Sequence, residues 1–285
     1  MQAIEWRWPG GKKGAVLFNI CLEAWSDGKA PGIGPMGNPL PAGHLDTMAI
    51  SWAEYGPKRG IYRLLEGLGR HQVKSSVMVN AILAERHPPA VKAVAQAGHE
   101  VLSHSYAMDV IPVLLNEDEE RRNIKRCTDL LSEASGQRLK GWLSPRGTPS
   151  ANTGRLLVEA GYEWHGDALD DDLPYVRTYG ERKLVIIPLN TDVNDMPSMR
   201  YGRLPETMVS VFEEIVARNL AREPGPFIVD VTVHAHIAGR PSSVWAFERI
   251  AEITAASSEF WTGTRAEMAA HVLSLGAQIP TACAA

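Results

Sequence analysis

The chain has 285 residues, 45% of them apolar and 22% charged, with a formal charge of −4. That length suits one large domain or two small ones, with core enough to stand without disulfides. No basic stripe is present, so nucleic acid is not an expected partner, and no apolar run reaches the length of a membrane span.

The first expected strand is Gly14–Leu22, and the Gly/Pro-rich stretch 27–56 after it reads as a long binding loop or lid. Lys58–His71 has Ile61, Leu64, Leu65 and Leu68 at helical spacing, and Val73–Ala81 is apolar and strand-like. Pro88–Ala97 reads as a helix closed by Gly98, followed by a strand over His99–Ser103. Asn116–Ser135 has a capping Asn, acids in its first turn and Gly136 as its stop. Leu139–Leu143 is a strand and Ser150–Ala160 a helix; Tyr162–Trp164 and Leu184–Leu189 are strands joined by an acidic loop. Pro205–Arg222, Phe227–Val233, Pro241–Ala256, Phe260–Thr262 and Arg265–Leu275 continue the alternation, and 277–285 reads as a loose tail. Strands alternating with helices predict an α/β fold, and about eight strands suggest a single (β/α) barrel spanning 1–285.

In such folds ligands gather at the carboxyl ends of the strands. Seven of the strand-like runs here stop at polar residues, among them Glu23, Asn80, His104, Arg146, Asp195 and His234. Glu23 reads either as a salt-bridged strand end or as a metal ligand or general base. His99 sits at a strand's start and fits a hydrogen-bonded core histidine, whereas His104 lies at the pocket end. His234 and His236 are two apart on a strand and share a face. Asp195, between Asn194 and Met196, is the better pocket candidate; Asp170–Asp172 read as a solvated loop. Arg146 could bind a carboxylate, orient a base, or merely tie down its loop. No Gly-rich phosphate cradle and no Gly-x-Ser-x-Gly elbow is present. Cys21, Cys127 and Cys283 lack metal-type spacing and are odd in number. Together with the polar Met1–Lys13 segment, they point to a cytoplasmic protein.

The order of motifs is what stands out: a first strand ending in an acid, Gly98–Tyr106 (GHEVLSHSY), Gly-Trp-x-x-Pro-Arg, Asn-Asp-Met-Pro, and Thr-Val-His with Arg240-Pro241 following. This set resembles the polysaccharide deacetylase (NodB-homology) family. It is most similar to the branch holding cytoplasmic peptidoglycan-deacetylase-like proteins and metal-free allantoinases. The resemblance implies a distorted (β/α) barrel and hydrolysis of amides such as sugar N-acetyl groups. It also implies a divalent metal such as zinc, held by an acid and a His-x-x-x-His pair, and self-association into a homo-oligomer. Glu23 then falls at the metal carboxylate and His104 at the first metal histidine. Met108 stands where the second would be, with Asp109 beside it as a substitute ligand. Cys21 or Asn19 stands near the base, and His234 matches the late acid.

The expected catalytic set is Glu23, His234, Asp195 and Arg146, with Asn80, Ser105, Tyr106, Trp142 and His236 contacting substrate. The reading is a hydrolase of non-peptide C–N bonds on a small-molecule substrate, preferably a small or cyclic amide or imide, with or without metal. An N-acetylated sugar is the alternative substrate. The alternative of another class is a degenerate barrel that only binds carbohydrate or metabolite.

Overall fold

The computed structural model describes residues 6–37, 40–41, 43–222 and 225–283. The expectations for residues 1–5 of the N-terminal segment, for 38, 39 and 42 of the loop, and for 284–285 of the tail lie outside it. In chain order the elements are β1 (Gly14–Leu22), α1 (Thr47–Ala53), α2 (Ile61–Arg70), β2 (Ser75–Val79), α3 (Ile82–Arg86), α4 (Pro88–Gln96) and β3 (Glu100–Ser103). Then follow α5 (Glu117–Ser135), β4 (Gly141–Trp142), α6 (Thr153–Glu159), β5 (Trp164–His165), β6 (Tyr175–Tyr179), β7 (Arg182–Ile186) and β8 (Val193–Asn194). The chain ends with α7 (Asp195–Arg200), α8 (Pro205–Ala221), β9 (Phe227–His234), α9 (Val244–Ala255), β10 (Phe260–Thr262), α10 (Arg265–Ser274) and β11 (Thr281–Cys283).

The fold is a distorted (β/α) barrel. Its parallel wall runs β7-β5-β4-β3-β2-β1-β9-β8, with β10 on the early part of β1. The side-chain period of two divides β1 between two environments. Val16, Phe18, Ile20 and Leu22 pack outward in a core with Leu64, Leu68 and Ile250, while Ala15, Leu17 and Cys21 point inward with Met78, Leu102 and Val185. That parity carries Glu23 inward too. The best helix forecast from sequence is met in detail: Asn116 and Glu119 form a reciprocal capping box on α5, and Gly136 ends it at φ 70°.

Three expectations differ. The 27–56 stretch is not structureless: Asp46 accepts the Ala49 N–H at 2.8 Å and caps α1. The acidic loop expected between Tyr162–Trp164 and Leu184–Leu189 contains β6, which pairs antiparallel with β7 through a turn at Gly180, φ 61°. The β-branched and aromatic run Tyr175–Tyr179 was the available signal. The stretch expected to be a loose tail contributes β11, which pairs parallel with the free edge of β6.

Among the described residues no ladder joins β7 to β8, so the barrel wall is open there. Buried side chains bridge the gap. Arg265 at the start of α10 donates to Asp230 of β9 at 2.6 Å, to Asn19 of β1 at 2.9 Å and to the Ile187 carbonyl beyond β7 at 3.1 Å. Asp230 also accepts the Asn190 N–H at 2.9 Å.

Candidate active site

At the carboxyl end of the barrel, Glu23 lies between two imidazoles. Its Oε1 is 3.7 Å from His104 Nε2 and 3.6 Å from His234 Nε2, and all three side chains are almost wholly buried. His104 Nδ1 lies 2.7 Å from the Leu143 carbonyl, which can only accept, so that nitrogen carries a proton and the ring is fixed with Nε2 turned toward Glu23. His234 Nδ1 lies 2.6 Å from Asp195 Oδ1, and Asp195 Oδ2 takes the backbone N–H groups of His234 and Ala238. Asp195 therefore stands behind His234, fixing its ring and turning its Nε2 toward Glu23. His236 is buried against the edges of Trp52 and Trp25, and neither ring nitrogen has a partner among the described residues.

The charges follow from this packing. Burial would push the Glu23 carboxyl up, but His234, His104 and His236 outweigh it and hold it at about 2. Burial disfavours an imidazolium at His234; its neighbours Cys21, Glu23 and Asp195 outweigh that and raise the group well above the usual histidine range. Burial pushes the Cys21 thiol up, so the two carboxylates are what hold the His234 proton. His236 is lowered to about 4, chiefly by burial, and is neutral.

These groups floor a cavity of about 660 Å³, a size suited to a small molecule. Its walls include Trp25, Met78, Met108 and Leu143, and Pro31–Ile33 with Trp52 from the 27–56 segment help enclose it. That segment thus lies where its position after β1 suggested.

Several residues expected at the site stand elsewhere. Asn80 accepts the Ala24 N–H and donates to the His104 carbonyl, bracing the ends of β1 and β3 instead of meeting substrate. Ser105 adopts φ 60° and is spent on the Val110 carbonyl and Asn123. Tyr106 points to Glu85 under the Arg126 guanidinium. Trp142 faces outward into the core, against Tyr162. In each case the parity of the strand or the turn after it sends the side chain away from the barrel axis. Asp109 accepts the Ser26 N–H at 2.8 Å and is no part of the ligand cluster, so it does not replace the missing histidine. Arg146 lines the cavity but makes no hydrogen bond to Glu23 or the histidines. Trp25, Trp52 and Arg200 line the cavity and were not anticipated; only Trp25, in step with Cys21 and Glu23, had a signal.

The donor set suits a divalent cation. Cys21, Glu23 and His234 offer ligand atoms within 4.8 Å of one another. Moreover, two imidazole nitrogens face the same carboxylate oxygen, an arrangement that a shared proton or a cation makes favourable. Their separations match ligands around one ion with bonds of about 2.0–2.3 Å.

Comparison with known proteins agrees with this architecture. The polysaccharide deacetylase family model matches residues 47–165. A putative polysaccharide deacetylase of Schizosaccharomyces pombe is 24% identical over 245 residues, covering 76% of this chain and 73% of that one. The crystal structure of a putative polysaccharide deacetylase from Mycobacterium smegmatis superposes with TM-score 0.83 at 26% identity, covering 99% of this chain and 98% of that one. The chain is similar to the polysaccharide deacetylase (NodB-homology) family, both in the matched segment and in its overall architecture. An allantoinase crystal structure is also similar, with TM-score 0.81 and 26% identity over 94% of this chain and 93% of that one. No helix among the described residues is long and apolar enough to cross a membrane.

Proposed function

We propose that this protein hydrolyses the C–N bond of a small or cyclic amide or imide. The observation that carries the reading is the Glu23 carboxylate held between His104 and His234 at the floor of a roofed cavity of about 660 Å³. Glu23 is ionised and His234 protonated, the states a base and an acid require. A water beside Glu23 attacks the carbonyl carbon and gives its proton to the carboxylate. His236, neutral and with no hydrogen-bond partner among the described residues, offers its N–H to the developing oxyanion. The C–N bond then breaks as His234 protonates the leaving nitrogen, and a cyclic substrate opens to a single product. Asp195 is a positioning residue, since it meets His234 and not the cavity. Alternatively, Cys21, Glu23 and His234 would hold a divalent cation, which would supply Lewis-acid polarisation and a lower pKa for water in place of the Glu23 base and the His234 acid.

The similarity to an allantoinase, whose name gives a cyclic ureide as its substrate, supports the small cyclic class. The similarity to polysaccharide deacetylases favours the second reading, N-deacetylation of an acetylated sugar. Turnover of hydantoins, dihydropyrimidines and succinimide against N-acetylglucosamine oligomers decides between them. On whichever set is cleaved, Glu23→Gln and His234→Ala are each expected to lower turnover by about 10²-fold or more. Activity that survives both would remove this site assignment. Ligand binding without turnover by the unsubstituted protein would favour a barrel that only binds.

A further inference from the structure

We propose that the substrate carries a carboxylate, which Arg146 and Arg200 hold at the cavity wall while its amide reaches the floor. The inference rests on the amide-hydrolase reading of the same cavity and adds the charge of the substrate.

The cavity's charges are sorted by sign. Glu23 is its one acidic lining residue among the described ones, and it is matched by the floor histidines; the other charged lining residues are Arg146 and Arg200. The chain as a whole is acidic, with formal charge −4, so a wall with only cations is not a sample of the general surface. Nor are these arginines occupied. Arg70, Arg86, Arg126, Arg155 and Arg249 each sit on a carboxylate. The guanidinium groups of Arg146 and Arg200, both exposed residues, have no hydrogen-bond or ion-pair partner among the described residues.

Both are fixed in place by backbone. Arg146 adopts φ 61° and ψ 14°, a left-handed conformation that is uncommon for a long side chain. The flanking Pro145 and Gly147, whose N–H donates to the Ser144 carbonyl at 2.8 Å, hold that turn at the end of β4. Arg200 is the last residue of α7, the helix that begins at Asp195 and so is tied to His234. Two guanidinium groups with free donors beside an otherwise largely apolar wall fit a carboxylate, which each can bind through paired N–H groups. Such an anchor also orients a small substrate, leaving its amide toward Glu23.

The test is binding at low ionic strength, by calorimetry or ligand-observed NMR, with pairs of probes that differ in charge. Hydantoin-5-acetate is set against hydantoin-5-acetamide, and N-acetylmuramate against N-acetylglucosamine. The carboxylate member of at least one pair is expected to bind about tenfold or more tightly. Which pair shows the preference tells a small acidic amide from an acidic sugar. Arg146→Gln with Arg200→Gln is expected to reduce the preference to about twofold or less, with an unchanged circular dichroism spectrum as the folding control; the double Lys variant keeps part of it. Equal binding within both pairs, no binding of any probe, or a preference that survives the double Gln substitution overturns the proposal. Glu23→Gln keeps the preference while abolishing turnover, so the two readings fail separately. A carboxylate preference in a protein that cleaves no amide sinks the hydrolase reading alone, and cleavage of neutral amides alone sinks this one.

Discussion

His99 accepts the Ser75 backbone N–H on Nδ1 at 2.9 Å, and His165 accepts the Asp167 N–H at 3.1 Å. An imidazolium cannot accept there, so protonation costs both a hydrogen bond and the burial of a charge. Burial, helped by Lys74 near His99 and by Arg177 near His165, lowers each ring from 6.5 to about 4. The folded pKa lies below the unfolded one. The unfolded chain therefore binds more protons between 6.5 and 4, and stability falls as pH drops through that window. Going from pH 7 to pH 5 is expected to cost roughly 2 kcal/mol per histidine, read by urea denaturation at the two pH values. Stability unchanged down to pH 5 would contradict it. At this scale much was legible: His99, at the beginning of its strand, reads from sequence as a core histidine, and His104, at the other end, as a pocket residue. Strand direction alone separates them. What strand ends did not show is whether the next side chain turns in or out, and Asn80, Ser105 and Tyr106 all failed on that point.

The elements around the site meet through close backbone approach. Gly60, just before α2, and Gly239, after β9, touch each other and the Ala235 carbonyl so tightly that a methyl group on either would overlap backbone. This contact presses the turn before α2 onto the segment that carries His236. Gly60→Ala is expected to lose about 1–3 kcal/mol or more, because the obstructing atoms are backbone and cannot rotate away. Chemical denaturation would measure the loss, and the His236 ring resonance should shift with it. A neutral substitution would show that the segment has slack. No periodicity in the sequence marks such contacts, whereas the hydrophobic spacing of Ile61, Leu64, Leu65 and Leu68 made α2 plain. The hairpin of β6 and β7 fell between these cases, with a β-prone run obscured by the acids before it.

For the whole molecule, the open wall between β7 and β8 is closed by chemistry rather than by a ladder. Arg265 and Asp230 are both fully buried, and their ion pair joins α10, β9 and β1 to the chain beyond β7. Removing one partner leaves the other charged and without water. Arg265→Ala is expected to cost about 3–5 kcal/mol, and Arg265→Ala with Asp230→Leu substantially less, since no lone charge remains. Equal losses in the two variants, from urea titrations, would remove the role assigned to the pair. The alternation of strands and helices made the barrel readable. The seam was not, because Asp230 and Arg265 lie in separate elements and neither position carries a local pattern.

The register of β1 on β9 sets an order of events. Asn19 and Thr232, paired across that ladder, are 213 residues apart. Contacts of such range close large loops and slow folding. A chain emerging from the ribosome has Glu23 and His104 long before β9 exists to bring His234 beside them. It can hold much of its wall and still lack its acid, so competence waits for β9 and arrives in one step.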